Sequence, residues 1–491
     1  MKLADLIKDI PLTVSTSIPL DINITGLTAD SRLVAPGMLF VALSGTKAEG
    51  MAFVGEALAR GAVAVLAGES AKADALSVPV LHSAEGRRAL AYLAARFYAA
   101  QPEIVAAVTG TNGKTSVAAF LRQIWTASGF EAASLGTVGI VTSERETALA
   151  HTTPDPVTLH KYLAALAADG VTHLAIEASS HGLDQHRLDG VRFSAGAFTN
   201  ITRDHLDYHP TFEDYFQAKL RLFRELLPPG APAVIDADSP GAEQVIEASQ
   251  NRKLNVYTVG QSGHAITLNS TAREGFRQRL SLTFESRDFS VALPLAGAFQ
   301  VSNALVAAGI ALALGASAET VFSALGAIRG AKGRLEYIGE TALGAPVFVD
   351  YAHTPDALVK ALQALRPYAS GRLHVVFGCG GDRDTGKRPE MGRAAIAYAD
   401  DVYVTDDNPR SEEPAMIRRA IMAAAPGAIE IAGRADAIAM ATGNLKRGDV
   451  LLVAGKGHET GQIVGKTVIP HSDHEAVASA LAAAGRRTSH G

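Results

Sequence analysis

Short apolar runs alternate with segments of helical periodicity along most of the chain. The runs that predict strands are 39–43, 62–66, 104–108, 172–178, 195–200, 347–350, 373–377, 402–405 and 450–453. Several are followed by stretches whose apolar residues recur every three to four positions, among them 84–99, 116–128 and 212–226. This alternation predicts an α/β fold built on parallel, doubly wound sheets.

Residues 255–295 depart from that alternation. Two segments, 279–285 and 289–293, alternate apolar and polar residues, which predicts antiparallel strands at a sheet margin. An Ala-rich helix is expected at 303–314, and a Gly-rich joint follows at 330–334. With a break at Gln101-Pro102, we expect three domains: residues 1–100, 101–334 and 335–491.

Composition narrows the class of protein. The 491 residues carry a net charge of −5 with mixed signs, so no basic stripe indicates nucleic-acid binding. The single cysteine, Cys379, excludes an intramolecular disulfide. Charges near Met1 interrupt the apolar core that a signal peptide needs, and no run of 18 strongly apolar residues predicts a membrane span. We therefore expect a cytoplasmic protein.

A Gly-rich turn stands between the strand at 104–108 and the helix after it. Its sequence, Thr-Gly-Thr-Asn-Gly-Lys-Thr, occupies 109–115. Such a turn directs backbone N–H groups and the positive end of the helix dipole toward a phosphate. Lys114 is then expected to reach the β- and γ-phosphates and Thr115 to meet Mg²⁺. The spacing is not that of an ordinary Walker A motif, because Val108 stands where the first Gly is expected.

Two polar clusters follow strands of the middle section. Glu177 ends an otherwise apolar strand, where a carboxylate could meet Mg²⁺. The segment 200–209 holds two His and two Asp within six residues. From composition alone, a metal site and ordinary loop hydrogen bonding both remain open.

Lys219 has an unexpected place in a predicted helix. The helix begins with a capping box of Thr211 and Asp214, and Lys219 falls on its apolar face, formed by Phe212, Tyr215, Phe216, Leu222 and Phe223. The lysine could extend to the surface along that face. Alternatively it is desolvated and neutral, and such an amine can add CO₂ to form an anionic carbamate that binds metal.

Three polar turns follow strands of the third section, at 350–356, 407–410 and 455–459. Arg383 and Arg410 offer forked donors for carboxylates, and Glu459 suits an ammonium group. Together they could receive an amino acid or a similar zwitterion, whereas each turn alone could simply be solvated.

These motifs stand in a fixed order. They are Thr-Gly-Thr-Asn-Gly-Lys-Thr, Glu-Ala-Ser-Ser-His, Arg-Asp-His-Leu-Asp-Tyr-His, Ala-Lys, Asp-Tyr-Ala-His-Thr-Pro, Asp-Asn-Pro-Arg and Gly-Lys-Gly-His-Glu. The set resembles the Mur ligases, and within them the members that add diaminopimelate. The resemblance extends from about residue 29 to residue 459 and implies a central P-loop-type ATPase domain, a Rossmann-like C-terminal domain and an N-terminal domain that binds the UDP-linked substrate.

The resemblance also implies an activity: ATP-dependent ligation of meso-2,6-diaminopimelate to the D-Glu carboxylate of UDP-N-acetylmuramoyl-L-Ala-D-Glu, through an acyl phosphate, in peptidoglycan precursor synthesis. It implies ATP contacts at Gly110, Thr111, Asn112, Gly113, Lys114, Thr115, Ser116, Asn303, Arg334 and Asp350. It implies contacts to the UDP-linked substrate at Ala29, Ser31, Thr46, Lys47, Ala48, His151, Thr152, Thr153, Ser179, Gln185 and Arg187.

The remaining implied roles concern metal and amino acid. Mg²⁺ is expected at Thr115, Glu177, His205 and Lys219 as a carbamate, with catalytic roles for Lys114, Lys219, Glu177 and His205. The amino acid is expected at Arg383, Asp407, Asn408, Pro409, Arg410, Gly455 and Glu459. Gln300, His151 and Ala29 differ from residues common in the family. A monomer is expected.

Other functions stay open at this point. Arg410 favours diaminopimelate over L-lysine, because lysine lacks the carboxylate that this arginine could bind. An L-lysine-adding homologue, a folylpolyglutamate synthetase and a D-alanyl-D-alanine-adding ligase are the alternatives within the superfamily. An ATP-binding protein without catalysis, acting in cell-wall assembly, is the alternative of another class.

Overall fold

The computed structural model describes residues 1–14, 20–43, 50–71 and 76–487. They form two compact units: Met1–Thr267 with Leu305–Val321, and Leu268–Ala304 with the described residues from Phe322 onward. Both units are α/β, as the sequence predicts. The domain limits expected at residues 100 and 334 stay predictions.

The first unit begins with a five-stranded sheet in the order β1-β5-β4-β3-β2. Its elements are α1 (Leu3–Ile7), β1 (Thr13–Val14), β2 (Gly26–Thr28), β3 (Met38–Ala42), α2 (Val54–Ala59), β4 (Ala64–Gly68), β5 (Val80–Ser83) and α3 (Gly86–Tyr98). Only β1 is antiparallel to its neighbour. Leu66 and Leu81 of the sheet pack in one core with Leu90 and Leu93 of α3.

Eight strands that lie entirely in the first unit belong to a second, larger sheet, in the order β13-β12-β11-β6-β10-β7-β8-β9. Its strands and helices are β6 (Ile104–Thr109), α4 (Lys114–Ala127), β7 (Ala132–Gly136), β8 (Gly139–Val141), β9 (Glu146–Thr147), α5 (Pro156–Ala168), β10 (His173–Glu177), α6 (Ser180–Asp184), β11 (Ala195–Phe198), α7 (Phe212–Arg221), β12 (Pro232–Asp236), α8 (Ala242–Asn251) and β13 (Asn255–Gly260). The central strand β6 is parallel to both of its neighbours, β10 and β11. The carboxyl ends of these three strands therefore meet at one edge, where ligands collect in sheets of this kind.

The second unit is built on a six-stranded sheet in the order β17-β18-β22-β19-β20-β21. The remaining elements of the chain are β14 (Ile266–Glu274), β15 (Arg277–Phe284), β16 (Arg287–Leu293), α9 (Ala298–Ala313), α10 (Ala318–Leu325), β17 (Glu336–Glu340), β18 (Pro346–Asp350), α11 (Pro355–Leu365), β19 (Leu373–Phe377), α12 (Lys387–Tyr398), β20 (Asp401–Val404), α13 (Pro414–Met422), β21 (Ile429–Glu430), α14 (Arg434–Gly443), β22 (Val450–Ala454), β23 (Gly461–Val464), β24 (Thr467–Pro470) and α15 (Asp473–Arg487). Strands β15 and β16 pair antiparallel, as predicted. In the six-stranded sheet only β17 is antiparallel to its neighbour.

Three details differ from the sequence predictions. The helix expected at 212–226 is α-helical only to Arg221 and ends in a π-helical turn, Leu222–Leu226. Phe212 is 42% exposed, because it is the first residue of α7 and its side chain has no preceding turn to cover. The Ala-rich helix α9 begins at Ala298, earlier than expected. Across the described ranges, no helix combines the length and apolarity needed to cross a membrane.

Candidate active site

The Gly-rich loop between β6 and α4 is held in a tight curve by the end of β11. Gly110 has φ +145°, and a Cβ there would lie 2.0 Å from Thr199 Oγ1, so only glycine fits. The Thr111 N–H donates to the Asn200 carbonyl at 2.8 Å, and Thr199 Oγ1 donates to the Asn112 carbonyl at 2.6 Å. The loop therefore presents the first N–H groups of α4 at the carboxyl edge of the sheet, as an anion site requires.

Lys114 begins α4 directly after Gly113, whose φ is +89°. Its Nζ donates to the carbonyls of Gly110 at 2.9 Å and Thr111 at 2.8 Å. The ammonium thus lies over the loop, where it can meet a phosphate. Ser116 is buried in the first turn of α4, beside Thr115.

Glu177 lies at the end of β10, 2% exposed, and binds two threonines. Thr115 Oγ1 donates to Glu177 Oε2 at 3.0 Å, while Thr137 donates its N–H to Oε1 at 2.8 Å and its hydroxyl to Oε2 at 3.1 Å. A Cβ on Gly136 would lie 2.0 Å from Oε1, so this glycine makes room for the carboxylate. The sequence prediction missed Thr137 and Gly136, because they belong to a different strand end from Glu177.

Several residues predicted to hold the peptide part of a substrate gather beside Glu177. Thr152 and Thr137 share a hydroxyl hydrogen bond of 3.0 Å. Thr153 Oγ1 donates to the Glu177 carbonyl at 2.8 Å and lies 2.9 Å from Ser179 Oγ.

The cationic side of the same cluster is formed by Arg187. It donates to the Thr153 carbonyl at 2.6 Å and to Gln185 Oε1 at 2.7 Å. Gln185 Nε2 in turn donates to Tyr208 at 3.0 Å. His151 is exposed and makes no hydrogen bond to these residues in the described part of the chain.

Lys219 is 1% exposed, so the hypothesis that it extends to the surface is wrong. Its Nζ donates to the Gly110 carbonyl at 2.8 Å and lies 4.4 Å from the centre of the Tyr215 ring. Burial, reinforced by the positive charge of Lys114, holds the pKa of Lys219 well below its ordinary value. The amine is therefore predisposed to be neutral and nucleophilic at the edge of the phosphate loop.

Three histidine rings cluster beside the Tyr215 ring, whose centre lies 5.9 Å from His205 and 5.4 Å from His209. The His181 ring is 4.9 Å from His205 and 5.6 Å from His209, centre to centre. Burial, and then the neighbouring His205 and His209, lowers the pKa of His181 to about 4, and burial also lowers the pKa of His205. A neutral imidazole is the form that can bind a metal.

The segment 200–209 does not form a metal site by itself. Among the described residues, no three His, Cys, Asp or Glu side chains are arranged to hold a metal ion. Asp204 instead accepts the backbone N–H of His205 at 2.8 Å. The structure favours loop hydrogen bonding for this segment taken alone.

The predicted UDP-side residues are only partly described. Ser31 is buried and donates to Glu56 at 2.8 Å, whereas Ala29 is exposed. Thr46, Lys47 and Ala48 lie outside the described residues. A cavity of about 870 Å³ opens in the same unit, and the lining includes Leu43, Ser83, Glu85, Arg87, Arg88, Asp184 and His186. The sequence prediction missed this lining, because α3 carries no recognisable motif.

Asp189 joins three segments of the first unit. Its side chain is fully buried and lies 3.2 Å from Arg221 of α7, 3.1 Å from His186 and 3.3 Å from Arg88 of α3. Burial by itself would raise the pKa of Asp189, but hydrogen bonds and charge from His186 and Arg221 hold it below its ordinary value. The carboxylate thereby anchors the helix of Lys219 to α3 and to the turn after α6.

We expect Asp189→Asn to lower the free energy of unfolding by about 3–5 kcal/mol, because it removes the fully buried negative charge that pairs with Arg221 and Arg88, whose other ion-pair partners, Glu225 and Glu85, are exposed. Equilibrium denaturation measures the change. Asp169→Asn is the matched control: Asp169 pairs with Arg145, both are about half exposed, and such a pair contributes at most about 1 kcal/mol. Equal effects of the two substitutions would contradict the anchoring role.

In the second unit, the turns after β18, β20 and β22 come together, as predicted. Asn408 Nδ2 donates to Glu459 Oε2 at 2.9 Å, and the Gly455 N–H donates to the Asp350 carbonyl at 3.0 Å. A Cβ on Gly455 would lie 2.7 Å from Asp407 Oδ2. Of the predicted amino-acid residues, Asp407, Asn408, Pro409, Gly455 and Glu459 thus share one end of the sheet.

Two arginines lie near this end. Arg410 is half-buried, with one guanidinium nitrogen bonded to the Gly381 carbonyl at 2.7 Å. Arg383 is exposed on the loop after β19. Both guanidinium groups can therefore bind a carboxylate that enters from solvent.

The predicted nucleotide residues of the second unit form a separate group. Asn303 donates to Gln300 Oε1 at 3.2 Å, and Gln300 donates to the Arg334 carbonyl at 3.2 Å. The Arg334 guanidinium lies 4.8 Å from the centre of the Tyr351 ring. Asp350 accepts the backbone N–H groups of Leu335 and Ala352, which fixes the joint after Arg334.

Three family models match the chain in succession: the Mur ligase family catalytic domain at residues 23–98, the Mur ligase middle domain at 108–311 and the Mur ligase glutamate ligase domain at 333–457. A UDP-N-acetylmuramoyl-L-alanyl-D-glutamate–2,6-diaminopimelate ligase of Bradyrhizobium diazoefficiens is 56% identical over 98% of this chain and 99% of its own length. The chain belongs to the Mur ligase family.

Solved structures agree with membership in the Mur ligases. One titled as a UDP-N-acetylmuramoyl-L-alanyl-D-glutamate–2,6-diaminopimelate ligase matches with a TM-score of 0.73 and 32% identity, over 98% of this chain and 99% of that one. The MurF ligase of Thermotoga maritima in complex with ADP matches with a TM-score of 0.61 over 94% and 98% of the two chains. At 19% identity, that second likeness shows the fold alone. This Mur ligase therefore has the three-domain architecture of its family.

Proposed function

We propose that this Mur ligase uses ATP to join meso-2,6-diaminopimelate to the D-Glu carboxylate of UDP-N-acetylmuramoyl-L-Ala-D-Glu, in peptidoglycan precursor synthesis. One observation carries the proposal: Lys219, whose pKa is lowered by burial, donates to the carbonyl of Gly110 in the phosphate loop. The 56% identical relative bears the name of an enzyme with this activity. The proposal places the enzyme in the cytoplasm as a monomer.

The reaction follows from the charges at the sheet edge. The D-Glu carboxylate attacks the γ-phosphate in line and ADP leaves, which gives an acyl phosphate. The ammonium of Lys114 and the N–H groups of residues 110–116 stabilise the negative charge on the transferring phosphoryl group. An amine of diaminopimelate then attacks the activated carbonyl, loses its proton and expels phosphate. The enzyme's main contributions are orientation and the exclusion of water.

The oxygen donors beside the loop suit Mg²⁺, which prefers hard oxygen ligands and keeps several waters. Thr115 Oγ1, in the first turn of α4, and Glu177 Oε2, at the end of β10, are 3.0 Å apart. We assign Thr115, Glu177, His205 and Lys219 as a carbamate to the metal. When bound, the ion would neutralise charge on the phosphates.

The carbamate gives Lys219 a role that the free amine cannot fill. The neutral amine attacks CO₂, one proton is released, and the product is an anion attached to a buried side chain. Such an anion is a metal ligand, whereas an ammonium would repel the ion. Burial of Nζ among Gly110, Tyr215 and the helix α7 lowers the pKa of Lys219, which favours the unprotonated amine that this step needs.

The other substrates are assigned to the groups described above. The nucleotide is held by residues 110–116 with Asn303, Arg334 and Asp350. The UDP-linked substrate is held by Ala29, Ser31, Thr46, Lys47, Ala48, His151, Thr152, Thr153, Ser179, Gln185 and Arg187. Diaminopimelate is held by Arg383, Asp407, Asn408, Pro409, Arg410, Gly455 and Glu459. Contacts among Thr153, Ser179, Gln185 and Arg187 support their joint assignment, and Thr152 bonds to Thr137 beside the same Glu177.

The test is phosphate release from ATP and Mg²⁺ in the presence of UDP-N-acetylmuramoyl-L-Ala-D-Glu, with meso-diaminopimelate, L-lysine or neither added. We expect release only with diaminopimelate and a tripeptide product of the corresponding mass. Lys114→Met is the inactive control. Release with lysine alone would identify an L-lysine-adding enzyme, and no release in any mixture would favour a different acceptor or a non-catalytic ATP-binding protein.

A further inference from the structure

Lys456 is a buried cation in the centre of the proposed amino-acid pocket. It follows β22, and its side chain is 0% exposed. Its Nζ donates to Asn408 Oδ1 at 3.0 Å and to Glu459 Oε2 at 3.0 Å, and lies 4.0 Å from Asp407 Oδ1. One ammonium thus contacts two residues of the pocket and lies close to a third.

Asn408 links Lys456 to the strand β23 and to Glu459. Its Oδ1 also accepts the Ile463 N–H at 2.9 Å, and its Nδ2 donates to Glu459 Oε2 at 2.9 Å. Gln462 donates to the Asp407 carbonyl at 2.6 Å from the same hairpin strand. Because Oδ1 accepts two hydrogen bonds and Nδ2 donates one, the Asn408 amide has a single favourable orientation. The second N–H of Nδ2 is not used by these partners.

The Glu459 carboxylate is engaged on one side only. Oε2 accepts from both Lys456 and Asn408, whereas Oε1 has no hydrogen bond to any described residue, and the side chain is 31% exposed. Two hydrogen bonds to one oxygen of a carboxylate restrict the positions that the other oxygen can take. Oε1 is therefore held ready for a donor that enters from solvent, such as the ammonium of an amino acid.

We propose that Lys456 is a positioning residue for the amino-acid substrate: it fixes Glu459 and Asn408 in the orientation that binds the incoming diaminopimelate. The role rests on the proposed function, since it presupposes that this pocket receives the amino acid. Lys456 does not contact the substrate itself, because its Nζ is buried behind the two residues that it binds. It also places its side-chain nitrogen beside the Asp407 and Glu459 carboxylates.

The test compares Lys456→Met, Lys456→Gln, Glu459→Gln and the double variant Lys456→Met with Glu459→Gln. Lys466→Met is the matched control, because Lys466 is exposed on the turn between β23 and β24. For each variant, KM is measured separately for diaminopimelate, ATP and the UDP-linked substrate, together with the thermal midpoint.

We expect Lys456→Met to raise KM for diaminopimelate roughly 10- to 100-fold, the size of a lost charge-assisted contact, with the other two KM values within about twofold of wild type. Since Lys456 acts through Glu459 and Asn408, Lys456→Met should raise KM for diaminopimelate less in the Glu459→Gln background than in the wild-type background, so the two effects are not additive. Lys466→Met should behave as wild type.

Several outcomes would overturn the positioning role. One is an unchanged KM for diaminopimelate in a folded Lys456→Met protein. A second is a parallel change in all three KM values with a lower thermal midpoint, which indicates a structural ion pair. If Lys456→Met does not fold, Lys456→Gln decides by the same criteria, and if neither folds the role is structural. A wild-type enzyme that does not use diaminopimelate contradicts the proposed function instead.

Discussion

Lys219→Ala is expected to reduce kcat on the order of 10³-fold or more, because it removes charge that acts directly on phosphoryl transfer. The side chain is buried, and its Nζ shares the Gly110 carbonyl with Lys114, which the proposed function assigns to the phosphates instead. Phosphate release and product formation measure the loss. Lys161→Ala, which removes an exposed lysine from α5, is the matched control and should be fully active.

The proposed carbamate on Lys219 makes the same experiment more specific. High bicarbonate should leave Lys219→Ala inactive, because the amine that adds CO₂ is gone. Formate, a small anion that can enter the vacated space, should restore part of the activity. With wild-type enzyme and ¹³C-labelled bicarbonate, a carbamate signal is expected that Lys219→Ala lacks. Full activity of Lys219→Ala would refute the proposed role of this lysine.

Arg410→Ala is expected to lower the preference for diaminopimelate over L-lysine by about 30- to 150-fold, equivalent to about 2–3 kcal/mol. The guanidinium uses one nitrogen on the Gly381 carbonyl, which leaves its remaining donors for the second carboxylate of diaminopimelate. Lysine lacks that carboxylate and leaves the arginine unpaired. The measurement is the ratio of kcat/KM for the two amino acids.

The backbone of Arg410 is held independently of its side chain, which makes the substitution informative. Its N–H donates to the Ile463 carbonyl at 2.9 Å, and its carbonyl accepts the Gly465 N–H at 2.6 Å. Arg410→Lys should recover little of the preference, because an ammonium cannot replace a forked donor. Arg447→Ala, at an exposed arginine, is the control. An unchanged ratio in Arg410→Ala would show that selectivity resides elsewhere.

Features that depend on nearby residues were predicted well from the sequence. The turn from β6 into α4 lies where the Gly-rich motif indicates, because a buried strand and a glycine with positive φ are local signals. The burial of Lys219 also has a local origin: its position in the helical repeat places it on the apolar face of α7. Phe212 lies on the same apolar face by its position in the helical repeat, yet it is exposed. It is the first residue of α7, where fewer neighbouring residues bury a side chain than in the middle of a helix.

The meeting of the turns after β18, β20 and β22 was predicted, but individual hydrogen bonds between residues far apart in the chain were not. Thr137 binds Glu177 across 40 residues, and Asn408 binds Lys456 across 48. The Lys456 motif was visible in the sequence, but only its flanking Gly455 and Glu459 were interpreted. Nothing in the sequence indicates which of several nearby polar groups a buried ammonium will select.

The sequence by itself determined the order of strands and helices, the places where polar motifs interrupt them, and the family to which the chain belongs. Those properties follow from periodicity and from residue types at short spacing. The tertiary structure alone decided that Lys219 meets Gly110, that Asp189 joins three segments and that Lys456 fixes Glu459. These contacts join buried polar groups, and they form because burial leaves such groups little water and the fold brings hydrogen-bonding partners within reach.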